Sequence, residues 1–431
     1  MLPGMRQPAP PVFDPRAVIE GRTPGRTSLS FIAGIVITTA CAIIALTIQA
    51  AQSVAAGDGV APAFIAFPLA LLPVPLLIAL VLWIDRLEPE PRGTLVLAFA
   101  WGAGIASLFA LIINTAGLEY VTQPALGAGT GEYVSATLGA PVVEETLKGL
   151  FLVGLLWRRR NEIDGPTDGI IYAAMVGLGF AMVENVGYYI NALITPDQGG
   201  VALLGYTFVV RGVVSPLLHP IFTSMTGLGV AYAASHRHAG WAVVVGWIGA
   251  MLLHGTWNGL SVDGTAGLSV AYVLMFCVLV GLVLILLADR RRMVGQITHY
   301  LPEYEPTGLV TRDDVAMLAS LGARRQARNW ARVTGGLAAA SAMGDYQLAA
   351  TELALVRAKA DRGVVDPATF RQRQHDLLGL MYLARKSFLS RHDEPPQAPW
   401  APPGGSGLAR HAAYRAPLPD HPRVTSGQGM S

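Results

Sequence analysis

Residues 266–288 read AGLSVAYVLMFCVLVGLVLILLA, an apolar run without Asp, Glu, Lys, Arg or His. A helix rises 1.5 Å per residue, so about 20 residues cross the ~30 Å hydrocarbon core of a bilayer, and this run is long enough for one membrane span. Seven similar runs precede it, at 29–51, 62–84, 93–115, 134–157, 168–190, 204–234 and 240–260. The sequence therefore predicts an all-α fold, a polytopic transmembrane helix bundle of about eight spans over residues 29–290.

The composition of the whole chain agrees with a lipid environment. Hydrophobic residues make up 52% of the chain and charged residues 14%, whereas about a quarter of residues are charged in ordinary soluble domains. The net charge is only +2 and the basic residues form short clusters, which argues against a nucleic-acid partner. The lipid bilayer is the expected surrounding, and Cys41 and Cys277, which lie in apolar runs, are predicted to be packing residues.

The arginines of the loops predict the orientation, because short cytoplasmic loops are rich in Lys and Arg. Arginine occurs in the N-terminal arm and in the segments 85–92, 158–160, 235–238 and 290–292. The alternate loops contain no Lys or Arg, at 52–61, 116–133, 191–203 and 261–265. The pattern predicts a multi-pass protein of the cell membrane with both termini cytoplasmic. A cleaved signal peptide is the alternative reading of the first run.

Two further features of the apolar part and its flanks are predicted. The sixth run is too long for one straight span and contains Arg211, Pro216 and Pro220, so we expect it to start near residue 208 and to be kinked. Residues 1–28 are predicted to be a disordered cytoplasmic arm, and 391–431 a disordered tail. Between them, 293–390 is predicted to be a cytoplasmic helical region, regulatory or docking in function, with helices over 308–330, 336–360 and 366–389.

Polar side chains interrupt four of the predicted spans. An ionisable group at the bilayer centre costs ~2.5 to 3.5 kcal/mol on insertion scales, so several together require a reason. The fourth run contains Glu144, Glu145 and Lys148, and helical spacing lets Lys148 reach at least one of the two carboxylates. The other members are Glu184 in the fifth run, His219 in the sixth, and His254 and Asn258, one turn apart, in the seventh.

The depth of these residues can be counted from the outer surface at 1.5 Å per residue. This places Glu144 and Glu145 at ~15 Å, Glu184 and His254 at ~9 Å, and His219 at ~15 Å. All of them lie in the outer half of the membrane or near its midplane. The sequence therefore predicts that the fourth to seventh spans form one shared site.

The residue types suggest hydrolysis, although other functions remain open. Two adjacent carboxylates cannot both ionise cheaply in a low dielectric, so one can act as a base towards water. Neutral imidazoles with a carboxylate are a common zinc ligand set that leaves a position open for water. The alternatives are a helix tie between Glu144 and Lys148, an interhelical hydrogen bond at His219, a proton- or cation-coupled transporter, and a non-catalytic scaffold.

At these residues the sequence resembles the PrsW family of intramembrane proteases, distantly grouped with the CAAX prenyl endopeptidases and bacteriocin-processing enzymes. The resemblance covers about residues 80–290. Its motifs are the acidic-proline loop Asp85-Arg86-Leu87-Glu88-Pro89-Glu90-Pro91, Glu144-Glu145-x-x-Lys148, Phe180-x-x-x-Glu184-Asn185, His219 and His254-x-x-x-Asn258.

The resemblance implies a protease that cleaves a single-pass membrane protein such as an anti-sigma factor. It also implies that Glu144 and Glu145 are catalytic and that Glu184, His219 and His254 belong to the site. Our hypothesis is that Glu145, or alternatively Glu144, activates water, that Lys148 tunes the pair, and that Asn258 donates to the oxyanion. Glu184, His219 and His254 are then the candidate ligands of a divalent metal, with zinc the first choice. The oligomeric state is left open.

Overall fold

The structure, a computed structural model, describes residues 14–19, 29–86, 88–160, 163–195, 200–236 and 238–389. Over these residues the chain is helical and contains no strand, which confirms the predicted all-α class. Most of the predicted disordered arm and the whole of the predicted tail lie outside the described residues, so their disorder stays a prediction.

The N-terminal two thirds of the chain form the membrane part. A short helix, α1 (Pro15–Ile19), precedes it in the N-terminal arm. The helices of the membrane part are α2 (Leu29–Ala55), α3 (Ala61–Leu71), α4 (Val74–Ile84), α5 (Arg92–Trp101), α6 (Ser107–Gly117), α7 (Gln123–Leu126), α8 (Ala128–Val134), α9 (Ala140–Arg159), α10 (Pro166–Ile194), α11 (Val201–Phe208), α12 (Leu218–Ser235), α13 (Trp241–Ser261) and α14 (Gly264–Tyr300). Short π-helical turns join several of them, at Gly102–Ala106, Leu118–Thr122, Ser135–Gly139 and Val209–Val214.

Six helical stretches among the described residues are long and apolar enough to cross a membrane. They are Leu29–Ala55, Ala61–Ile84, Arg92–Leu126, Pro166–Ile194, Val201–Ser235 and Gly264–Thr307. The predicted runs 134–157 and 240–260 also form helices, α9 and α13, but they carry the polar residues of the predicted site and are therefore less apolar. The polytopic membrane fold is confirmed, and the count of eight spans stays a prediction.

Helix α10 is the centre of the bundle, because it packs against α2, α3, α5 and α12 and most of its residues are buried. Its glycines allow the close approach. A Cβ atom added to Gly169 would lie 2.2 Å from the carbonyl oxygen of Gly227 in α12, and one added to Gly177 would lie 2.6 Å from the nitrogen of Pro220. Small residues at helix contacts let membrane helices pack backbone against backbone. This contact brings α10 and α12 together beside His219.

The sixth predicted run is broken immediately before His219. Helix α11 begins at Val201, earlier than the predicted start near 208, and the π-helical turn that follows it ends at Val214. Ser215 has φ −125° and ψ 37°, which is outside the helical range, and Pro216 follows it. A proline disfavours the α conformation at the preceding residue and removes a backbone donor. The predicted kink is therefore a break, from which α12 starts at Leu218.

The C-terminal region is helical but its boundaries differ from the prediction. It contains a 3₁₀ segment and three helices, Leu301–Thr307, α15 (Arg312–Leu318), α16 (Leu321–Asp361) and α17 (Pro367–Leu389). The predicted helix 308–330 is divided between α15 and α16, because Ser320 caps the N-terminus of α16. Gly336, with φ 74°, kinks α16 where a break between two helices is predicted.

The C-terminal region packs against the membrane part. Helix α14 runs without a break through Arg290–Arg292 to Tyr300 and packs against α16. Lys359 of α16 forms a buried ion pair with Asp164, which lies in the loop before α10. From α17, the Arg373 guanidinium donates to the carbonyl oxygens of Val18 and Ile19 in α1. The end of the N-terminal arm therefore lies on the same side of the bundle as the C-terminal region.

We expect Gly227→Ala to destabilise the bundle, because its new methyl group would overlap the backbone of Gly169. Overpacking of this kind costs about 1–3 kcal/mol. The matched control is Gly154→Ala in α9, where a Cβ atom meets open space and alanine improves helix propensity. Thermal unfolding of the purified proteins in detergent measures the difference. Equal melting temperatures of the two variants would refute the packing argument.

A pH dependence of stability is expected from Asp85, which accepts a hydrogen bond of 2.8 Å from the backbone N–H of Glu90. Burial raises the pKa of Asp85 to about 8. The unfolded value is about 3.9, so the unfolded chain releases this proton at a lower pH than the folded protein does. The stability contributed by Asp85 is therefore present below about pH 4 and is lost as the pH rises towards 8.

Asp85→Asn removes the titrating carboxyl group. The melting temperature of this variant is therefore expected to fall less between pH 5 and pH 8 than that of the unchanged protein. Asp58→Asn, at an exposed loop position, serves as the control and should leave the slope unchanged. A fall in Asp85→Asn as steep as that of the control would contradict the assignment.

Candidate functional site: a buried carboxylate and histidine cluster

Glu145 is the centre of a buried network that joins three helices. Its side chain has no exposed surface. Oε1 accepts hydrogen bonds from Lys148 Nζ at 2.7 Å and from His254 Nδ1 at 3.0 Å. Oε2 accepts one from the hydroxyl of Thr223 at 2.9 Å. Glu145 of α9 is thereby tied to α12 and α13, and both of its oxygens are occupied.

Lys148 places a positive charge in the middle of the cluster. Its Nζ donates to Glu145 and, at 2.9 Å, to Nδ1 of His219. The ammonium group also lies 3.6 Å from Oε2 of Glu144 and 4.1 Å from the ring centre of Phe180. Lys148 is completely buried. The helical spacing predicts contact with at least one glutamate, and in the structure Lys148 reaches both.

His219 connects Lys148 to Glu184. Because an ammonium group only donates, Nδ1 of His219 accepts from Lys148, and Nε2 therefore carries the proton. That Nε2–H donates to Oε2 of Glu184 at 2.9 Å. Because of the break before α12, His219 lies in the first turn of that helix. Its ring faces α9 and α10.

Glu184 is held by a second cation, Arg211, from the π-helical turn after α11. The Arg211 guanidinium forms an ion pair with Glu184 and donates to Oδ1 of Asn185 at 2.7 Å. It lies 3.6 Å from the ring centre of Tyr188. Glu184 therefore has two partners, a guanidinium and an imidazole, and stands at the edge of the cluster.

Glu144 differs from its neighbour because one of its oxygens is left without a partner. Oε1 accepts from the amide of Asn114 in α6 at 3.2 Å. Oε2 is buried and has no hydrogen bond from any described residue. The nearest imidazole nitrogen is Nε2 of His254, at 3.8 Å. Since His254 donates from Nδ1 to Glu145, its Nε2 has a free lone pair directed to this side.

The donor atoms of Glu144, His219 and His254 lie close enough together to hold one metal ion. One atom from each lies within 4.8 Å of the others, and all three residues are buried. One carboxylate and two imidazoles are a known zinc ligand set. The orphaned oxygen of Glu144 and the free nitrogen of His254 fit such an ion, and Glu145 behind His254 is the outer partner that metal-binding histidines commonly have. At His219, Lys148 and Glu184 occupy the two ring nitrogens.

The structure thus brings together six of the predicted site residues and separates the seventh. Glu144, Glu145, Lys148, Glu184, His219 and His254 form one cluster. In the potential metal set, however, Glu144 takes the place that was predicted for Glu184. The amide of Asn258 donates to the backbone carbonyl of Ala136 at 2.8 Å, and no contact with the cluster is found among the described residues.

Sequence reasoning missed three polar partners of the cluster. Arg211 holds Glu184, Asn114 holds Glu144, and Thr223 holds Glu145. An arginine inside an apolar run, as at 211, is a signal that could have been used. For Asn114 and Thr223 the sequence offers no comparable signal, because small polar residues are frequent in membrane helices.

Comparisons with known proteins agree with the resemblance. The sequence model described as "PrsW family intramembrane metalloprotease" matches residues 90–285. Protease PrsW of Geobacillus kaustophilus (strain HTA426) is 34% identical over 104 residues, which are 24% of this chain and 43% of that protein. Protease PrsW of Bacillus subtilis (strain 168) is 29% identical over 107 residues, 25% of this chain and 45% of the relative. A search of solved structures finds no match.

A third relative, Protease PrsW of Clostridioides difficile (strain 630), is 34% identical over 118 residues, which are 27% of this chain and 47% of that protein. The chain thus matches slightly less than half the length of each of these relatives. The family match includes α9, α10, α12 and α13, the helices that supply the buried cluster. The resemblance to the PrsW family is therefore confirmed over residues 90–285, which match the sequence model of that family of intramembrane metalloproteases.

Proposed function

We propose that the chain is an intramembrane peptidase whose reacting centre is formed by Glu144, His219 and His254. The observation that carries the proposal is the buried Oε2 of Glu144, which lacks a hydrogen-bond partner among the described residues and faces a free imidazole nitrogen. A buried carboxylate oxygen in this state needs a cation or a water molecule. The family match supports the use of this centre for peptide hydrolysis.

The charge of the cluster supports a bound cation. Three carboxylates, those of Glu144, Glu145 and Glu184, face two permanent cations, Lys148 and Arg211. With the carboxylates ionised, the cluster carries one excess negative charge, which a metal ion would more than neutralise. Burial of an unbalanced charge is expensive, so this excess favours a cation at the open position.

Different tasks follow for the two adjacent glutamates. A divalent metal would be held by the free oxygen of Glu144 and the free nitrogen of His254, and it would supply Lewis acidity towards a peptide carbonyl. His219 would join them through Nδ1, in place of the hydrogen bond that this nitrogen accepts from Lys148. Glu145 has no free oxygen and acts as a positioning residue, which fixes the tautomer of His254 and the position of Lys148. Lys148 keeps the two carboxylates together in the low dielectric. His219 and Glu184 form a pair between which a proton can move at Nε2.

The cellular setting is proposed from the sequence pattern and the family. The substrate is a membrane-anchored protein with one span, such as an anti-sigma factor. The enzyme is placed in the cell membrane with both termini in the cytoplasm, in agreement with the distribution of arginine between its loops. Zinc is the first metal to test, because nitrogen and oxygen donors in this combination are typical of zinc sites.

Glu144→Gln is the direct test of the reacting centre. We expect loss of bound metal and at least a 100-fold fall in cleavage of a single-span substrate, because the amide is a poor metal ligand. Glu132→Gln, the same substitution at an exposed position in α8, is the control. Metal content by elemental analysis and cleavage in proteoliposomes give independent readouts. Full metal content and normal cleavage in Glu144→Gln would show that the proposal is wrong.

Thr223→Val tests whether Glu145 acts by positioning. The change keeps the shape but removes the hydroxyl that donates to Glu145, and a hydrogen bond to a charged group contributes roughly 1.5–3 kcal/mol. Loss of such an outer partner typically weakens metal affinity by about 10- to 100-fold. We therefore expect a lower melting temperature together with weaker metal binding in a competition titration.

The matched control is Thr226→Val, one helical turn away in α12. The Thr226 hydroxyl is buried and has no hydrogen-bond partner among the described residues, so its removal should leave stability unchanged or increase it. If Thr223→Val lowered the melting temperature but left metal affinity at the control value, Thr223 would be a structural residue only.

A further inference from the structure

An apolar cavity lies between α4, α10, α12 and α14, next to the C-terminal region. Its volume is about 460 Å³, and most of its lining is aliphatic, as at Val81, Ile221 and Leu282. Pro220, which follows His219, lines one end, and Arg290 and Leu321 line the other. The cavity thus extends from the level of the buried cluster to the junction with α16.

A second cavity of about 360 Å³ adjoins the first, and arginine predominates among its polar lining residues. Five guanidinium groups line it, from Arg16, Arg86, Arg92, Arg325 and Arg328. The carboxylates in the lining are those of Asp85 and Glu90. The two cavities share three lining residues, Asp85, Arg86 and Leu321, so they are neighbouring chambers separated by these side chains.

Arg86 stands at the boundary and has an unsatisfied donor. Its Nε is buried and makes no hydrogen bond to a described residue. The guanidinium lies 4.4 Å from the ring centre of Trp83, which itself lines the apolar chamber. Within the described part of the chain, no ion pair involves any of the five arginines of the basic chamber. Four of these arginines are exposed, and Arg86 is partly buried. The buried Nε of Arg86, which still needs an acceptor, is the atom that calls for an anion.

The carboxylates of the lining do not cancel this positive charge near neutral pH. Burial raises the pKa of Asp85 to about 8 and raises the pKa of Glu90 well above its usual value. The hydroxyl of Tyr172 donates to Glu90. In the apolar chamber, Asp168 is occupied by the backbone N–H groups of Asp164 and Gly165. Burial and the neighbouring Arg325 also lower the pKa of Arg328, as expected for crowded cations.

The dimensions of the apolar chamber fit an extended acyl chain better than a polypeptide helix. A helix with its side chains is about 10–12 Å wide and rises 1.5 Å per residue, so 460 Å³ would hold roughly three or four residues of it. A substrate span does not fit this chamber. A single acyl chain, which is narrow and entirely apolar, does.

We propose that the two chambers together bind one anionic phospholipid, with its phosphate among the arginines around Arg86 and one acyl chain between α4 and α14. Basic pockets between membrane helices on the cytoplasmic side are suited to anionic headgroups. The acyl chain ends beside Pro220 and Ile221, at the start of α12. This lipid site does not depend on the proposed peptidase activity.

The test is lipid binding to the full-length protein, purified in detergent and delipidated, by native mass spectrometry. Phosphatidylglycerol is titrated against phosphatidylcholine, with inorganic phosphate in a separate arm. We expect one phosphatidylglycerol per chain, bound at least 10-fold more tightly than phosphatidylcholine. Millimolar inorganic phosphate should compete weakly, because it lacks the acyl chain.

Arg86→Gln/Arg328→Gln removes two charges of the basic chamber. An arginine near an anionic lipid contributes about 1 kcal/mol, a factor of about five, so the pair should lower the affinity for phosphatidylglycerol about 25-fold. The control, Arg332→Gln/Arg371→Gln, removes two exposed arginines outside both chambers and should bind as the unchanged protein does.

Ala174→Phe tests the apolar chamber. Ala174 is buried and lines this cavity, so a phenyl ring there should exclude the acyl chain and weaken phosphatidylglycerol binding at least 10-fold, with unchanged competition by phosphate. Melting temperatures confirm that each variant is folded. Equal binding of both lipids, equal binding by the arginine pair and its control, or equal competition by free phosphate would overturn the proposal.

Discussion

The buried pair of Lys148 and Glu145 is the interaction on which the rest of the cluster depends. Both side chains are completely buried, at 2.7 Å from each other. Such a pair contributes little net stability, but loss of one partner leaves an uncompensated charge and costs about 3–5 kcal/mol. The two groups therefore require each other, and the remaining bonds of Glu145 to Thr223 and His254 place α9, α12 and α13 at fixed relative positions.

The cluster can form because the helix backbones come unusually close. At Gly169 and Gly227 the backbones of α10 and α12 touch, and at Gly177 the backbone of α10 meets the first turn of α12. In lipid there is little hydrophobic drive between helices, so contacts of this kind and interhelical hydrogen bonds supply the association. Glycine at these positions thus affects the geometry of the cluster as well as the packing of the helices. It sets the separation across which His219 reaches both Lys148 and Glu184.

The sequence was sufficient to predict the fold class and most members of the buried cluster. Ionisable groups in an apolar run are costly, so Glu144, Glu184 and His254 were visible as exceptions, and counting residues along each span placed them at similar depth. What counting could not give is the rotation of each helix about its axis. Asn258 is one turn from His254, yet its amide donates to the carbonyl oxygen of Ala136. Asn114 reaches Glu144 from α6, part of the third predicted run, which was not expected to contribute to the site.

The same limit explains why the proposed metal ligand is Glu144, whereas the sequence predicts Glu184. Their depths and chemistry are similar, and the sequence does not show that Arg211 pairs with Glu184, because this contact depends on the break at Ser215 and on the π-helical turn before it. Once a guanidinium and an imidazole occupy Glu184, Glu144 retains the free oxygen. The choice of Glu144 in the proposed metal site therefore follows from which carboxylate keeps an oxygen without a hydrogen bond. This property belongs to the assembled bundle, because each of these partners comes from a helix other than that of the carboxylate it binds.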